Sequence, residues 1–249
     1  MNTNTDKAIK AVGDSISIEK KVAILQSNYI PWKGYFDLIA SVDEFIIFDD
    51  MQYTRRDWRN RNRIKTPIGL KWLTVPVQVK GKYDQKIRET QLSGSDWQIT
   101  HWRILEQNYR NTPYFDEIEE WLKPLYTERF YTSLSEMNLT FISSIISYLS
   151  IDTVISHSSD YILASEKTER LVDLCRQVGG TEYISGPAAK AYIDENVFEQ
   201  MNIKLKWFDY SCYQEYPQLW GEFVHEVTIL DLLFNCGKNS KSHMRLSHQ

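Results

Sequence analysis

The sequence predicts an α/β fold: a mainly parallel, Rossmann-like sheet flanked by helices, with a helical insertion in the middle of the chain. Three observations carry that prediction. The apolar runs at 22–25 and 45–48 are continuous rather than alternating, the pattern of strands buried on both faces. Each run ends abruptly in polar residues, with the helix-like stretch GYFDLIASV between them. From residue 153 onward, strand-like and helix-like segments alternate again at the pitch of parallel strands joined by helices.

Taken in order, the first run stops at Gln26, Ser27 and Asn28, and the second at Asp49, Asp50, Gln52 and Tyr53. In open parallel sheets the ligand crevice lies beyond the carboxyl ends of the strands, so both polar clusters are expected to share one pocket. WLTVPV at 72–77 follows, then a turn-rich loop at 78–84 able to close over a site, then an expected edge strand at 86–92. The stretch 95–151 is helical in pattern. Ser95 is the expected cap of one helix, and Ser133 with Glu136 forms an expected capping box for another. A shorter helix fits YFDEIEEWLKPLY between them. Strands are then expected at 153–156, 182–185 and 203–208, and helices at 167–178 and 188–201, with Gly179 and Gly180 as a stop. A polar aromatic loop, FDYSCYQEYPQLWGEF, precedes the apolar helix TILDLLFNCG. The expected organisation is a flexible segment at 1–20, one α/β catalytic domain at 21–238 and a mobile tail at 239–249.

Composition narrows the functional classes. A hydrophobic content of 42% over 249 residues is enough to bury a full core. The net charge of −4 argues against a surface that tracks nucleic acid as a whole. Cys175, Cys212 and Cys236 are odd in number and widely spaced, which suits neither a disulfide framework nor a zinc site. The first twenty residues lack a signal-peptide core, and no window supplies the roughly 18 apolar residues of a membrane span. The expectation is a cytoplasmic protein without an integral membrane segment, nucleic-acid partner or resident metal.

Several residues have the chemistry of a site. Arg55, Arg56, Arg59, Arg61, Arg63 and Lys65 are interleaved with Asp57, Trp58, Asn60 and Asn62. Guanidinium forks grip phosphate, and Trp58 or Tyr53 can stack on a base or sugar. The same run also reads as a solvated charged loop. Asp49 or Asp50 has the chemistry of a general base on an amine, or equally of a turn cap paired to the nearby arginines. His101, with Trp97 and Leu105 at the four-residue offsets, suits proton transfer but is as readily a structural histidine. His157 occupies a position similar to that of Asp49. Ser185, Gly186 and Pro187 make a tight turn into a helix, and Cys236 is a buried thiol or a nucleophile.

Read together, these positions resemble a known family. Gln26, Tyr29, Pro31, Trp32, Gly34, Tyr35 and Phe36, then Asp50, Gln52, Tyr53, Asn60, Arg61, Asn62 and WLTVP, are similar to the WbqC-like family. So are His101 with Tyr109, Ser185 and Gly186 with Tyr192, Tyr216 with Gln218, and LDLLFN at 230–235. Ser27 stands where the family pattern has proline, which implies a less rigid first loop. The resemblance covers about 22–237 and implies bacterial surface-polysaccharide (O-antigen) biosynthesis by a cytoplasmic enzyme acting on a nucleotide-linked amino-deoxysugar. It implies acyl or aminoacyl transfer to the sugar amine, with Arg59 and its neighbours holding the diphosphate and Asp49, Asp50 or His101 as base. The co-substrate is an acyl thioester, ATP with magnesium, or an acyl or aminoacyl carrier. The turn PWKGYFDLI is also similar to the HxGH loop of nucleotidyltransferase-like folds, with Trp32 and Tyr35 near the places of its histidines, which implies an ATP-dependent ligase. A non-catalytic subunit that binds the sugar nucleotide is the remaining alternative.

Overall fold

Val22 and Ile24 of the first strand join one apolar cluster and Ala23 the other, as the two-residue period of a strand requires. That alternation is why the run is continuously apolar, since each face of the sheet has its own helical cover. The structure is a computed structural model and describes residues 19–245. The remaining residues of the expected amino-terminal segment and tail lie outside the described residues. In chain order the elements are β1 (Lys21–Leu25), α1 (Lys33–Ala40), β2 (Glu44–Ile47), β3 (Arg61–Thr66) and β4 (Gly69–Thr74). The helices α2 (Asp96–Tyr109), α3 (Phe115–Thr127) and α4 (Leu134–Tyr148) follow. The chain continues with β5 (Val154–His157), α5 (Lys167–Gln177), β6 (Glu182–Ser185), α6 (Glu195–Gln200), β7 (Lys204–Trp207) and α7 (Ile229–Cys236).

Five strands form one parallel sheet in the order β5-β2-β1-β6-β7. The chain builds outward from β1 through β2 to β5, then crosses back to place β6 and β7 on the other side. The strand order therefore reverses between β1 and β6, and the loops leaving these two strands diverge. Ala23, Phe45 and Ile47 pack with α1, the three-helix insertion and α7 in the larger core. Val22, Ile24, Ile46 and Phe48 pack with Leu171, Leu174 and Cys175 of α5 and with Phe198 of α6, which stacks on Tyr183 at 5.2 Å.

The structure differs from the sequence reading in several places. The second half of the arginine run is a strand: β3 pairs antiparallel with β4, Arg63 opposite Trp72, so Asn62 and Ile64 turn inward and Arg61 and Arg63 outward. The expected edge strand at 86–92 is a short 3-10 helix at Ile87–Glu89. The amides of Ile87 and Arg88 donate to the carbonyls of Met51 (2.9 Å) and Asp49 (3.0 Å), so this segment caps the end of β2 instead of lengthening a sheet. Ser95 and Ser133 occupy their N-cap positions without side-chain capping bonds, and the capping box with Glu136 does not form. The expected helix at 188–201 divides into a 3-10 helix at Pro187–Ala191 and α6, whose cap, Asp194, accepts from the amide of Asn196. Residues expected in the mobile tail instead pack on the core as far as they are described: Ser240 and Met244 are buried, and the amide of Arg245 donates to Asp37 at 3.0 Å. No described helix is long and apolar enough to cross a membrane.

Candidate functional site

Two clefts open at the carboxyl edge of the sheet. The first, of about 310 Å³, lies at the switch point between β1 and β6. Leu25, Phe48, Met51 and Ala189 give it apolar walls, and Gln26, Ser185 and Gly186 supply polar edges. Lys167 and Arg170 of α5 lie on its rim with Tyr192 opposite. The guanidinium of Arg170 is engaged by the carbonyls of Ala164 and Ser165, at 2.7 and 2.6 Å.

The second cleft, of about 380 Å³, is lined by Asn28, Pro31, Trp32, Trp58, Asn62, Arg63 and Glu226. Its parts come from the loop after β1, from the β3 strand and from the long loop between β7 and α7. Trp32 is held by Tyr210 and Tyr213, with ring centroids 5.3 and 5.5 Å away. Gly34 is required beneath it, because a Cβ there would run into the indole ring. Asn62 shapes the cleft through the backbone, its amide donating to the carbonyls of Tyr29 (3.2 Å) and Ile30 (2.8 Å). Ile30 needs that hold, since it sits at φ +38°, a strained conformation for a β-branched residue. On the rim, Arg63 pairs with Glu226 at 2.8 Å.

Arg59 links the clefts. Its guanidinium donates to the Asn28 side-chain oxygen of the second cleft and, at 3.1 Å, to the Gln26 side-chain oxygen of the first. One cation therefore bonds to the lining of both cavities through two neutral acceptors, with the Asp57 carboxylate 3.9 Å from its Nε.

The acids and histidine of the sequence reading lie behind these clefts rather than in them. Asp49 is buried and accepts from the Ser27 amide (2.8 Å), the Ser27 hydroxyl (2.7 Å) and the Ser135 hydroxyl. Asp50 turns the other way and takes Lys86 (2.9 Å), Arg88 (2.8 Å) and the Ser158 hydroxyl (2.9 Å). Burial would raise the Asp50 pKa, but the bonds from Lys86 and Ser158 and the charges of Arg88 and Lys86 outweigh it and hold the carboxyl below its usual range. His101 is 5% exposed, and burial pushes its pKa down to about 4 against a hydrogen bond to the Thr74 backbone. Its Nδ1 lies 2.9 Å from the Tyr29 hydroxyl, which itself lies 2.7 Å from the Tyr126 hydroxyl. The ring is neutral at pH 7. A donor to Thr74 through one nitrogen, it accepts from Tyr29 through the other.

Other expected site residues make hydrogen bonds within the fold. Tyr35 donates to the Gln26 carbonyl at 3.1 Å, Asn60 to the Val75 carbonyl at 2.7 Å and Gln52 to the Tyr83 carbonyl at 2.8 Å. Tyr53 is buried, and Arg61 lies on the outer face of the hairpin over Trp72. Tyr216 donates to buried Asp231 at 2.9 Å, as Tyr109 does at 2.8 Å, and Gln218 accepts from Lys65 at 2.8 Å. That network ties the long loop after β7 to β3 and α7. Burial pushes the Cys236 thiol up to about 11, away from a reactive thiolate. Lys167, Arg170 and Glu226 were not singled out from sequence. Glu226 gave no local signal, standing 163 residues from Arg63.

The sequence matches the WbqC-like protein family over residues 26–243. It is 59% identical to the uncharacterized protein Rv1507c of Mycobacterium tuberculosis over 230 residues, which cover 92% of this chain and the whole of that relative. No solved structure matches the chain. With most of its length matched, the chain belongs to the WbqC-like protein family.

Proposed function

We propose that this protein is a transferase of bacterial surface-polysaccharide biosynthesis that forms an amide on the amino group of a nucleotide-linked amino-deoxysugar. The observation that supports this reading is a pair of clefts whose lining residues, Asn28 in one and Gln26 in the other, bond to the same Arg59 guanidinium. A two-substrate reaction needs two neighbouring cavities, and a phosphate-bearing substrate needs a cation near them. In this reading the tryptophan cleft takes the acceptor, its sugar against Trp32 and Trp58 and its diphosphate toward Arg59. The switch-point cleft takes the donor. An acyl thioester of coenzyme A and ATP both carry an adenosine phosphate, which fits an apolar slot rimmed by Lys167.

Asp49, Asp50 and His101 are positioning residues in this reading, because their polar atoms are already engaged. Glu226, exposed on the acceptor cleft, engages Arg63 through one carboxylate oxygen, and its other oxygen takes the proton from the attacking amine. The neutral amine attacks the activated carbonyl, and the thiolate or adenylate leaves. The full engagement of those three internal groups also favours one competing reading, a subunit that binds the sugar nucleotide without turning it over. Mass spectrometry decides between the two. The protein is incubated with amino-sugar nucleotides and either an acyl thioester or ATP, magnesium and amino acids. An amide product supports the transferase; tight binding with no product in either mixture supports the carrier.

A further inference from the structure

The turn between β3 and β4 carries Ile68 at its tip, 98% exposed. On the same hairpin Leu70 and Trp72 are each 41% exposed, as is Trp58 just before it. Two arginines are interleaved with the indoles: the Arg61 guanidinium lies 4.1 Å from the Trp72 ring centroid, and that of Arg63 lies 5.4 Å from Trp72 and 5.6 Å from Trp58. The Nε of each arginine is buried against the hairpin, and the outer nitrogens are the ones turned to the surface, one of Arg61 donating to the Arg56 carbonyl at 2.6 Å and one of Arg63 to Glu226 at 2.8 Å. Exposed Arg55, Arg56 and Lys71 extend the cationic character, although the chain as a whole is at −4. Of the neighbouring acids, Asp57 is taken by Thr54, the Trp58 amide and Arg59, and Glu226 by Arg63.

Along the hairpin these groups run from the aliphatic tip at Ile68 through Leu70 to Trp72, which is level with Arg63, and then to Arg61. A lipid surface presents the complementary order of acyl boundary, interface and phosphate. A dissolved phosphate or a nucleic acid engages the arginines and indoles but leaves Ile68 and Leu70 in water. We propose that the exposed face of the β3–β4 hairpin docks on an anionic lipid bilayer, with Ile68 entering below the headgroups and Arg61 and Arg63 meeting the phosphates. Trp58 and Arg63 also line the second cleft, so docking sets its mouth at the membrane surface. This surface does not depend on the reaction assigned above.

The test is co-sedimentation of the full chain with vesicles of phosphatidylcholine, with and without phosphatidylglycerol. The protein is expected to pellet only with the anionic vesicles and to be released by salt. Ile68→Ser should lower partitioning about tenfold without moving the thermal midpoint, because the side chain lies outside the core. Each of Arg61→Gln and Arg63→Gln should lower it about fivefold. Failure of the wild-type protein to pellet, or equal pelleting of wild type and Ile68→Ser, overturns the proposal. So does salt-dependent binding of single-stranded RNA by a protein that ignores the vesicles.

Discussion

The switch-point cleft is walled by residues that leave β1, β2 and β6 within a few positions of the strand ends, whereas the tryptophan cleft draws Asn28, Arg63 and Glu226 from distant parts of the chain. The first owes its shape to sheet topology, which backbone hydrogen bonds enforce whatever the side chains. The second depends on individual contacts: Gly34 beneath Trp32, Asn62 on the carbonyl of Ile30, Arg63 against Glu226. The lesson is that substitution should separate the two clefts, with the topological one robust and the assembled one fragile, unless a change reaches the buried polar groups beneath both.

The largest effect is expected at that common support. Asp49→Ala removes the acceptor for two groups of Ser27 and for Ser135, and should cost about 3–5 kcal/mol in urea unfolding. A loss under about 1 kcal/mol would break the idea that one internal frame holds both clefts.

Next is a pH effect from the same layer. As pH falls through 6.5 the unfolded chain protonates at His101, while the folded ring resists until about 4. The unfolded state binds more protons in that window, so acid removes stability, by about 3 kcal/mol at most. Asp37, raised to about 6 by burial, acts in the opposite direction. Comparing thermal midpoints of wild type and His101→Gln across pH 7 to 4 cancels that contribution. The advantage of the wild type over the variant should shrink on acidification; a constant difference would place His101 in a more open setting.

The assembled cleft is probed by Glu226→Gln. Turnover should fall about a hundredfold, while stability stays within about 0.5 kcal/mol because the ion pair is at the surface. Retained turnover moves the base elsewhere and weakens the functional contrast between the clefts. Gly34→Ala should cost about 1–3 kcal/mol and abolish sugar-nucleotide binding by displacing Trp32, yet leave donor binding intact. Calorimetric titration of each ligand class checks this, and equal loss of both would mean that the two cavities form one. The smallest change is expected for Lys167→Gln, which should weaken a phosphate-bearing donor about tenfold and leave the acceptor untouched.

How much of this was legible from sequence depends on the range of the interaction that decides it. The strand runs at 22–25 and 45–48 were readable because burial on both faces leaves a continuous apolar string. The polar clusters at their ends do not share one pocket as expected: Gln26 lines one cleft and Asn28 the other, while Asp49, Asp50, Gln52 and Tyr53 line neither. Lys86–Leu92 misled as a strand because the amides of Ile87 and Arg88 find partners at the end of β2, a long-range bond that no local pattern encodes. The arginines were recognised as a cationic run. Their division into Arg59 between the clefts, Arg63 on a rim and Arg61 on an outer face follows only from the register of β3 with β4.

By itself the sequence determined the class of fold and the family, because side-chain periodicity and short motifs are local properties. Only the tertiary structure decided that Asp49, Asp50 and His101 stand behind the clefts and that Glu226 stands in one. The reason is physical: whether an ionisable side chain is a support or a reagent depends on its burial and its partners, and both are set by contacts between residues far apart in the chain.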